Sequence, residues 1–237
     1  MFRRVFIAAL VGIAVASASA QTAAPPPALL YYAGQPGRLT QDRDRQGGNP
    51  FASAFVEVLK QQPDTLSEFT EQLAASNARH SGGWQQMQFP KKLPLWKMSA
   101  AGERRVALVL INANYAAAGV GSLPGAAFDA QRIPAALKVA GYDTTLVFDA
   151  SPADAKKAMD AFAEKSANAD AALIYIGGHG IQHRRIVYWM MGDYPDRDAK
   201  YLADHAFAID DIAKAARARS VNLVLYASCR DDPFAGH

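Results

Sequence analysis

The second half of the chain alternates apolar runs with amphipathic patterns, and this alternation limits the folds that it can adopt. We predict four strands here, at 105–112, 144–148, 171–176 and 222–227. The run from Val106 to Ile111 is apolar at every position, which is typical of a strand covered on both faces. Helical patterns separate the strands. The sequence therefore predicts an α/β fold in which helices cover a mostly parallel sheet.

The helices of this half are predicted at about 128–140, from Ser151-Pro152 onward, and at 209–218. Pro134 lies inside the first of them and predicts a kink or a second start, because proline cannot donate a backbone hydrogen bond. With 237 residues, half of them apolar, the chain can bury one sizeable core.

The first half contains one short strand, predicted at 28–33, and two helix starts. Asn49-Pro50 is typical of a capped helix start, and Thr65 with Glu68 forms a capping-box pattern. The polar stretch 38–48 is predicted to be a mobile loop, and 77–104 to be loop and linker.

The chain begins with the pattern of an export signal. Arg3 and Arg4 precede an apolar run from Val5 to Val15, and Ala18-Ser19-Ala20 fits a signal-peptidase site. We therefore predict a signal peptide at 1–20, a Pro-rich linker at 21–27, and a periplasmic or secreted protein without stable membrane insertion. A retained anchor is the alternative. Without the signal the formal charge is 23 − 22 = +1, and no basic stripe indicates a nucleic-acid partner.

Two chemically capable residues follow the third and fourth predicted strands of the second half. His179 lies in Ile176-Gly-Gly-His-Gly180, and Cys229 lies in Leu225-Tyr-Ala-Ser-Cys229. The carboxyl ends of parallel strands share one edge of the sheet, where ligands bind, so we expect these two side chains to meet. Cys229 is the only cysteine, and taken alone it fits a buried filler, an intermolecular thiol or a reactive thiol.

A thiol paired with an imidazole is the basis of nucleophilic catalysis. The thiolate is the reactive form, and a neighbouring imidazole can take the thiol proton. The backbone N–H groups of Gly180 and Cys229 are candidates for binding a developing oxyanion. The alternative interpretation is a loop histidine beside a buried, inert thiol.

Four segments carry a family resemblance: 106–115, 123–130, Gly178-His-Gly180 with Gln182, and Cys229-Arg-Asp-Asp-Pro-Phe234. His179 precedes Cys229 by 50 residues, a spacing of the kind found in caspases. Over about residues 105–234 the chain resembles bacterial caspase-like and metacaspase domains. The resemblance implies a caspase-like three-layer αβα sandwich and a cysteine-type endopeptidase with a Cys229–His179 dyad. No cofactor would be required, although calcium, which some metacaspases need, stays open.

The order of the two caspase-like parts looks permuted. Segments 29–37, 49–55 and 82–85 resemble the small-subunit region, which in relatives follows the cysteine. We expect a small-subunit-like part at 28–90, a linker at 91–104 and a large-subunit-like catalytic part at 105–237, forming one composite domain. A sequence that lacks its real small-subunit region is the alternative.

The resemblance also predicts a substrate pocket, with one departure. Asp129 matches one acid of a pocket that binds Arg or Lys before the scissile bond, whereas Ala227 stands where relatives have a second acid. We expect a basic preference that is less strict than in those relatives. Tyr32, at the end of the small-subunit-like strand, is a candidate for lining the cleft, although core filling is the other interpretation.

Other patterns favour different functions less well. Asp193, Asp196, Asp198 and Asp204 crowd one loop and could bind calcium, but without EF-hand spacing. The histidines lack zinc-ligand spacing, so we predict no zinc site and assign no residue as a metal ligand. Gly119, Gly121 and Gly125 follow the strand predicted at 105–112 at too great a distance for the tight turn of a dinucleotide-binding motif. The expected partner is a protein or peptide substrate, bound by a monomer or dimer. The alternative function is a catalytically silent caspase-fold binding module.

Overall fold

The computed structural model describes residues 24–98, 101–116, 120–195 and 198–232. The predicted signal peptide and the start of the Pro-rich linker lie outside these ranges. The strands are β1 (Leu29–Tyr32), β2 (Arg105–Ile111), β3 (Tyr142–Phe148), β4 (Ala171–Gly177), β5 (Gly180–His183), β6 (Ile186–Met190), β7 (Ala206–Ala208) and β8 (Val221–Tyr226). The helices are α1 (Pro50–Gln61), α2 (Leu66–His80), α3 (Pro124–Val139), α4 (Pro152–Ala167), α5 (Leu202–His205) and α6 (Ile209–Ala213).

Five strands form a parallel sheet in the order β1-β8-β4-β2-β3. Strand β2 is buried along its whole length, and its side chains alternate between two cores. Ala107, Val109 and Ile111 face the core that contains α1, α2 and α3. Val106, Leu108 and Leu110 face the core that contains α4 and α6. The sheet is therefore the middle of three layers, as the sequence predicts.

The N-terminal strand is part of the same sheet. Strand β1 pairs in parallel with β8, from Leu29 opposite Leu223 to Tyr32 opposite Tyr226. The helices that follow, α1 and α2, contribute Phe51, Phe55 and Phe69 to the core on one face. The first part of the chain therefore completes the edge of the sheet beside the strand that precedes Cys229.

Several element bounds differ from the sequence predictions. Helix α3 begins one turn earlier than expected, at Pro124, and continues through Pro134 as one helix. Helix α6 ends at Ala213, so the helix predicted to reach residue 218 is wrong beyond that point. The small antiparallel sheet β5-β6-β7 was not expected. None of the helices in the described ranges combines the length and apolar character that a membrane span requires.

Candidate active site

Cys229 and His179 lie just beyond the carboxyl ends of β8 and β4, which are neighbours in the sheet. Both residues line one cavity of about 80 Å³ at this edge, together with Gly177 and Gly178. The structure thus brings together the two side chains that the strand ends predict to meet. The cavity thus lies at the carboxyl edge of the parallel sheet, beyond the ends of β4 and β8, where ligands bind in folds of this kind.

A backbone carbonyl orients the His179 ring. The Nε2 atom lies 2.8 Å from the carbonyl oxygen of Gly121, in the segment that follows β2. Because a carbonyl can only accept, we assign the ring proton of neutral His179 to Nε2. Nδ1 is then the unprotonated nitrogen, and it is the atom that can act as a base.

Tyr115 holds the backbone and the ring of His179. Its hydroxyl accepts from the His179 N–H at 2.8 Å and donates to the Met190 carbonyl at 3.1 Å. Its ring meets the imidazole edge to face, with centroids 4.5 Å apart. Burial raises the pKa of Tyr115 well above its ordinary value, so its hydroxyl stays protonated. The histidine is therefore positioned by a fully buried neutral group.

Two glycines beside His179 allow close packing that no other residue would permit. Gly178 has φ of +132°, and a Cβ there would lie 2.5 Å from the Tyr115 hydroxyl. At Gly180 a Cβ would overlap the Tyr226 hydroxyl. That hydroxyl donates to the carbonyls of Tyr188 and Cys229, at 2.9 and 3.0 Å. The glycine at 180 therefore lets β5 approach the backbone of the nucleophile.

The oxyanion-hole candidates lie on facing segments. In β5 the N–H of Gln182 donates to the Asp231 carbonyl at 2.8 Å. Amide groups two residues apart on a strand point toward the same edge, so the Gly180 N–H faces the segment that carries Cys229. The assignment of the two oxyanion donors to Gly180 and Cys229 stays a prediction.

Thr40 covers the Cys229 thiol. Its N–H donates to Sγ at 3.2 Å, and its hydroxyl lies 3.4 Å from Sγ. The same hydroxyl donates to the Ala227 carbonyl at 3.4 Å. Burial raises the pKa of the Cys229 thiol, although the two Thr40 contacts oppose that shift. The thiol is therefore protonated in this state. Segment 38–48 has no helix or strand, as predicted, and it packs against the thiol through Thr40.

Asp129 lies on the cavity wall in a buried ion pair. Arg132 approaches its Oδ1 with Nε at 2.8 Å and with a terminal nitrogen at 2.7 Å. The Asn49 N–H donates to Oδ2 at 3.1 Å. Burial raises the pKa of Asp129 to about 7, against the lowering by Arg132 and the Asn49 N–H.

Asp42 is a second carboxylate on the cavity wall. Its two oxygens accept from the backbone N–H groups of Gly125 and Ala126, at 3.0 and 3.3 Å. These amides begin α3, whose own N-cap residue, Leu123, makes no side-chain cap. A carboxylate from another segment therefore caps this helix, which explains why α3 starts a turn earlier than the sequence predicts.

The other predicted pocket residues are placed differently. Ala227 lines the cavity, and its carbonyl accepts from Thr40 and from the Asn49 side chain. Tyr32 does not line it; its ring packs on Tyr226 and lies 4.1 Å from the Arg230 guanidinium. A role for Tyr32 in substrate binding stays a prediction.

In the described residues of the acidic loop, the carboxylates of Asp193 and Asp198 pair with neighbouring groups. Asp193 lies 3.1 Å from His205, and Asp198 caps a short 3-10 turn and pairs with Lys200 at 2.9 Å. Asp196 lies outside the described residues. Within the described part of the chain, no three carboxylate, imidazole or thiol side chains are grouped to hold a metal ion. Calcium dependence stays a prediction.

The sequence alone did not reveal four residues that shape the site: Thr40, Asp42, Tyr115 and Gly121. Tyr115 and Gly121 follow β2 at the same edge of the sheet as His179, so their position after a predicted strand could have indicated that they lie near the site. Thr40 and Asp42 lie in a polar segment without periodicity, and only the fold brings them to Cys229.

A family model for the caspase domain, Peptidase_C14, matches residues 104–236, which is more than half of the chain. No curated protein matches the chain.

Proposed function

The chain belongs to the caspase-domain peptidase family, and from its cleft we propose that it is a cysteine-type endopeptidase with Cys229 as nucleophile and His179 as general base. One observation carries this proposal. The only cysteine and a histidine whose Nε2 is held by a carbonyl line the same cavity at the ends of adjacent strands. That arrangement leaves Nδ1 unprotonated and able to act as the base.

The proposed reaction has two stages. Nδ1 of His179 takes the thiol proton, and the Cys229 thiolate attacks the peptide carbonyl. The C–N bond breaks as the imidazolium returns the proton to the leaving amine, which leaves a thioester on Cys229. His179 then takes a proton from water, whose oxygen attacks the thioester. The C–S bond breaks, the imidazolium returns its proton to the leaving thiolate, and the carboxylic acid product leaves and loses its own proton to solvent.

Each tetrahedral intermediate places a negative charge on the former carbonyl oxygen. We assign its stabilisation to the N–H groups of Gly180 and Cys229. One such donor typically contributes about 3–4 kcal/mol to lowering the barrier. The resting contacts of Thr40 with Sγ must loosen when substrate enters, because the thiol proton has to reach His179.

We further propose that the peptidase prefers Arg or Lys before the scissile bond. Two carboxylates, Asp42 and Asp129, line the cavity that holds the catalytic pair, which supports a cationic substrate side chain. The preference should be less strict than in relatives with an acid at position 227, because Ala227 offers no charge. The proposed location is periplasmic or secreted, which rests on the pattern of residues 1–20.

A catalytically silent binding module is the second candidate, and the covered thiol favours it. Thr40 occupies the space next to Sγ, and burial raises the thiol pKa, so the resting site is poorly nucleophilic. The retained pairing of His179 with Gly121 favours the peptidase instead, because a silent fold does not need an oriented base.

A peptide-library assay separates the two candidates. The mature protein, His179→Ala and Cys229→Ala would be incubated with the library, with and without calcium, and cut bonds read by mass spectrometry. We expect cleavage after Arg and Lys by wild type, a loss of about 100-fold or more in His179→Ala, and none in Cys229→Ala. If a small alkylating agent reaches Cys229 while every peptide stays intact, the peptidase proposal fails and the binding module stands.

A further inference from the structure

The two carboxylates of the cavity differ in how their charges are balanced. Asp129 is buried and forms two short contacts with Arg132, whose guanidinium also donates to the Ser53 hydroxyl at 2.9 Å and to the Asn49 carbonyl at 3.3 Å. The pair is thus held on several sides. A substrate cation would have to displace Arg132 before it could use the charge of Asp129.

Among the residues that the structure describes, Asp42 has no comparable counter-ion. Its hydrogen-bond donors are the amides of Gly125 and Ala126, which fix the carboxylate without cancelling its charge. Arg43 forms an ion pair with it at 3.6 Å, from a side chain that is 60% exposed. An exposed ion pair of this kind is screened by solvent and is weak. The charge of the Asp42 carboxylate is therefore compensated only weakly by a neighbouring cation.

The Asp42 carboxylate also has room to bind a further donor. A carboxylate offers about four acceptor positions, and the helix amides use two of them. Its side chain is 25% exposed and lines the cavity beside Cys229, so a guanidinium or an ammonium can approach the remaining positions. Ala227, on the same wall, contributes only a methyl group and a carbonyl that is already hydrogen-bonded.

We propose that Asp42, rather than Asp129, is the specificity-determining residue that binds an Arg or Lys side chain before the scissile bond. This rests on the peptidase function proposed above. Asp129 with Arg132 then forms a structural wall of the pocket that carries no net negative charge. The raised pKa of Asp129 agrees with this division, because a carboxyl that is partly protonated near neutral pH is a poor anchor for a cation.

The test measures the labelling rate of Cys229 by two electrophilic peptides that differ only in Arg or Leu at the reacting end. The proteins are wild type, Asp42→Asn, Asp42→Glu and Asp129→Asn. The ratio of the Arg rate to the Leu rate is compared within each protein, so that a change in folded fraction cancels. Iodoacetamide labelling of each protein reports whether Cys229 is accessible.

We expect the ratio to fall by about 10- to 100-fold in Asp42→Asn, as a lost charge-assisted contact predicts. Asp42→Glu should restore part of it, and Asp129→Asn should keep it within about threefold. A ratio that persists in Asp42→Asn, or that is near one in wild type, overturns the inference and leaves the peptidase intact. If iodoacetamide labels wild type and neither peptide does, the peptidase function is rejected, and the inference with it.

Discussion

At the residue scale, the Cys229 thiol is held in its protonated form by its surroundings. Burial raises its pKa, and the Thr40 N–H and hydroxyl only partly offset this. We predict that the alkylation rate of native Cys229 rises with pH with a midpoint above that of the urea-unfolded protein, because less thiolate exists at any given pH. A neutral haloacetamide and mass spectrometry would measure both curves.

Cys229 is the only cysteine of the chain, so the measured thiol alkylation reports on this residue alone. Restricted access lowers the native rate at every pH but does not move the midpoint. A native midpoint below the unfolded one would mean that His179 already stabilises the thiolate in the resting state.

Asp129 makes the second prediction at this scale. Its pKa of about 7 in the folded protein lies above the ordinary 3.8 expected when unfolded. Between these values the native state holds a proton that the unfolded state lacks, so stability falls as pH rises from about 4 to about 7. We expect the unfolding free energy of wild type, relative to Asp129→Asn, to be about 2 kcal/mol smaller at pH 8 than at pH 5.

Urea titrations of both proteins at the two pH values would measure this difference. If the unfolding free energy of wild type instead rose relative to that of Asp129→Asn between pH 5 and pH 8, the prediction would be contradicted. That result would show that attraction to Arg132 outweighs burial at this site.

At the scale of elements, Asn49 links the start of α1 to the cleft. Its side-chain oxygen accepts from the Phe51 N–H, and its amide nitrogen donates to the carbonyls of Gln41 and Ala227. Asn49→Ala removes the cap, worth about 1 kcal/mol, and the amide that donates to two carbonyls, which costs about a further 1–3 kcal/mol because the Ala227 carbonyl keeps only its 3.4 Å contact with Thr40. We predict a loss of unfolding free energy of about 2–4 kcal/mol in a urea titration.

The matched control is Thr65→Ala at the start of α2. Thr65 caps the Glu68 N–H from an exposed position, so only the cap of about 1 kcal/mol should be lost. Equal losses in the two variants would show that Asn49 acts as a cap alone and does not hold the cleft segment.

Sequence patterns predicted the elements whose signals are local. The caps at Asn49, Thr65 and Ser151 begin helices as expected, because a cap and its first turn depend only on neighbouring residues. The capping box at Thr65 differs in one bond, since the Glu68 side chain accepts from the Asp64 N–H. The start of α3 was missed because its cap, Asp42, is distant in sequence.

The small sheet β5-β6-β7 was missed for a related reason. Strands of three to five residues carry little periodicity, and β5 begins at Gly180, whose pattern was interpreted only as a loop around His179. The segment 38–48 was expected to be mobile because it is polar. Its contacts with Cys229, with α3 and with His80, whose Nδ1 lies 3.1 Å from Asp44, come from residues far along the chain.

At the scale of the whole molecule, the topology decides what the sequence can reveal about the site. His179 and Cys229 were predictable because parallel strands end at one edge, and the structure shows β4 and β8 as neighbours. Asp42 and Thr40 were not predictable by that rule, since segment 38–48 joins the site from the other end of the chain. The division into small- and large-subunit-like parts stays a prediction.

The predicted linker 91–104, between the small- and large-subunit-like parts, carries exposed basic residues, and the proposed peptidase would cut after such residues. Lys91 and Lys92 are exposed between the β1–α2 part and β2, whereas Arg105 is buried. We predict that the active protein cuts itself here and that the two pieces stay together, because β1 pairs with β8 and α1 and α2 share the core with the sheet. Two bands on a denaturing gel, from one peak in gel filtration, would show this.

Two variants make this last prediction decisive. Cys229→Ala should stay intact, because the nucleophile is missing, and Lys91→Ala with Lys92→Ala should slow the cut while leaving the cleft unchanged in sequence. The same fragments in Cys229→Ala would mean that another protease cuts an exposed segment. An intact wild-type chain that still cleaves Arg peptides would show that the joining segment does not reach the cleft, and that any cut would need a second copy of the protein.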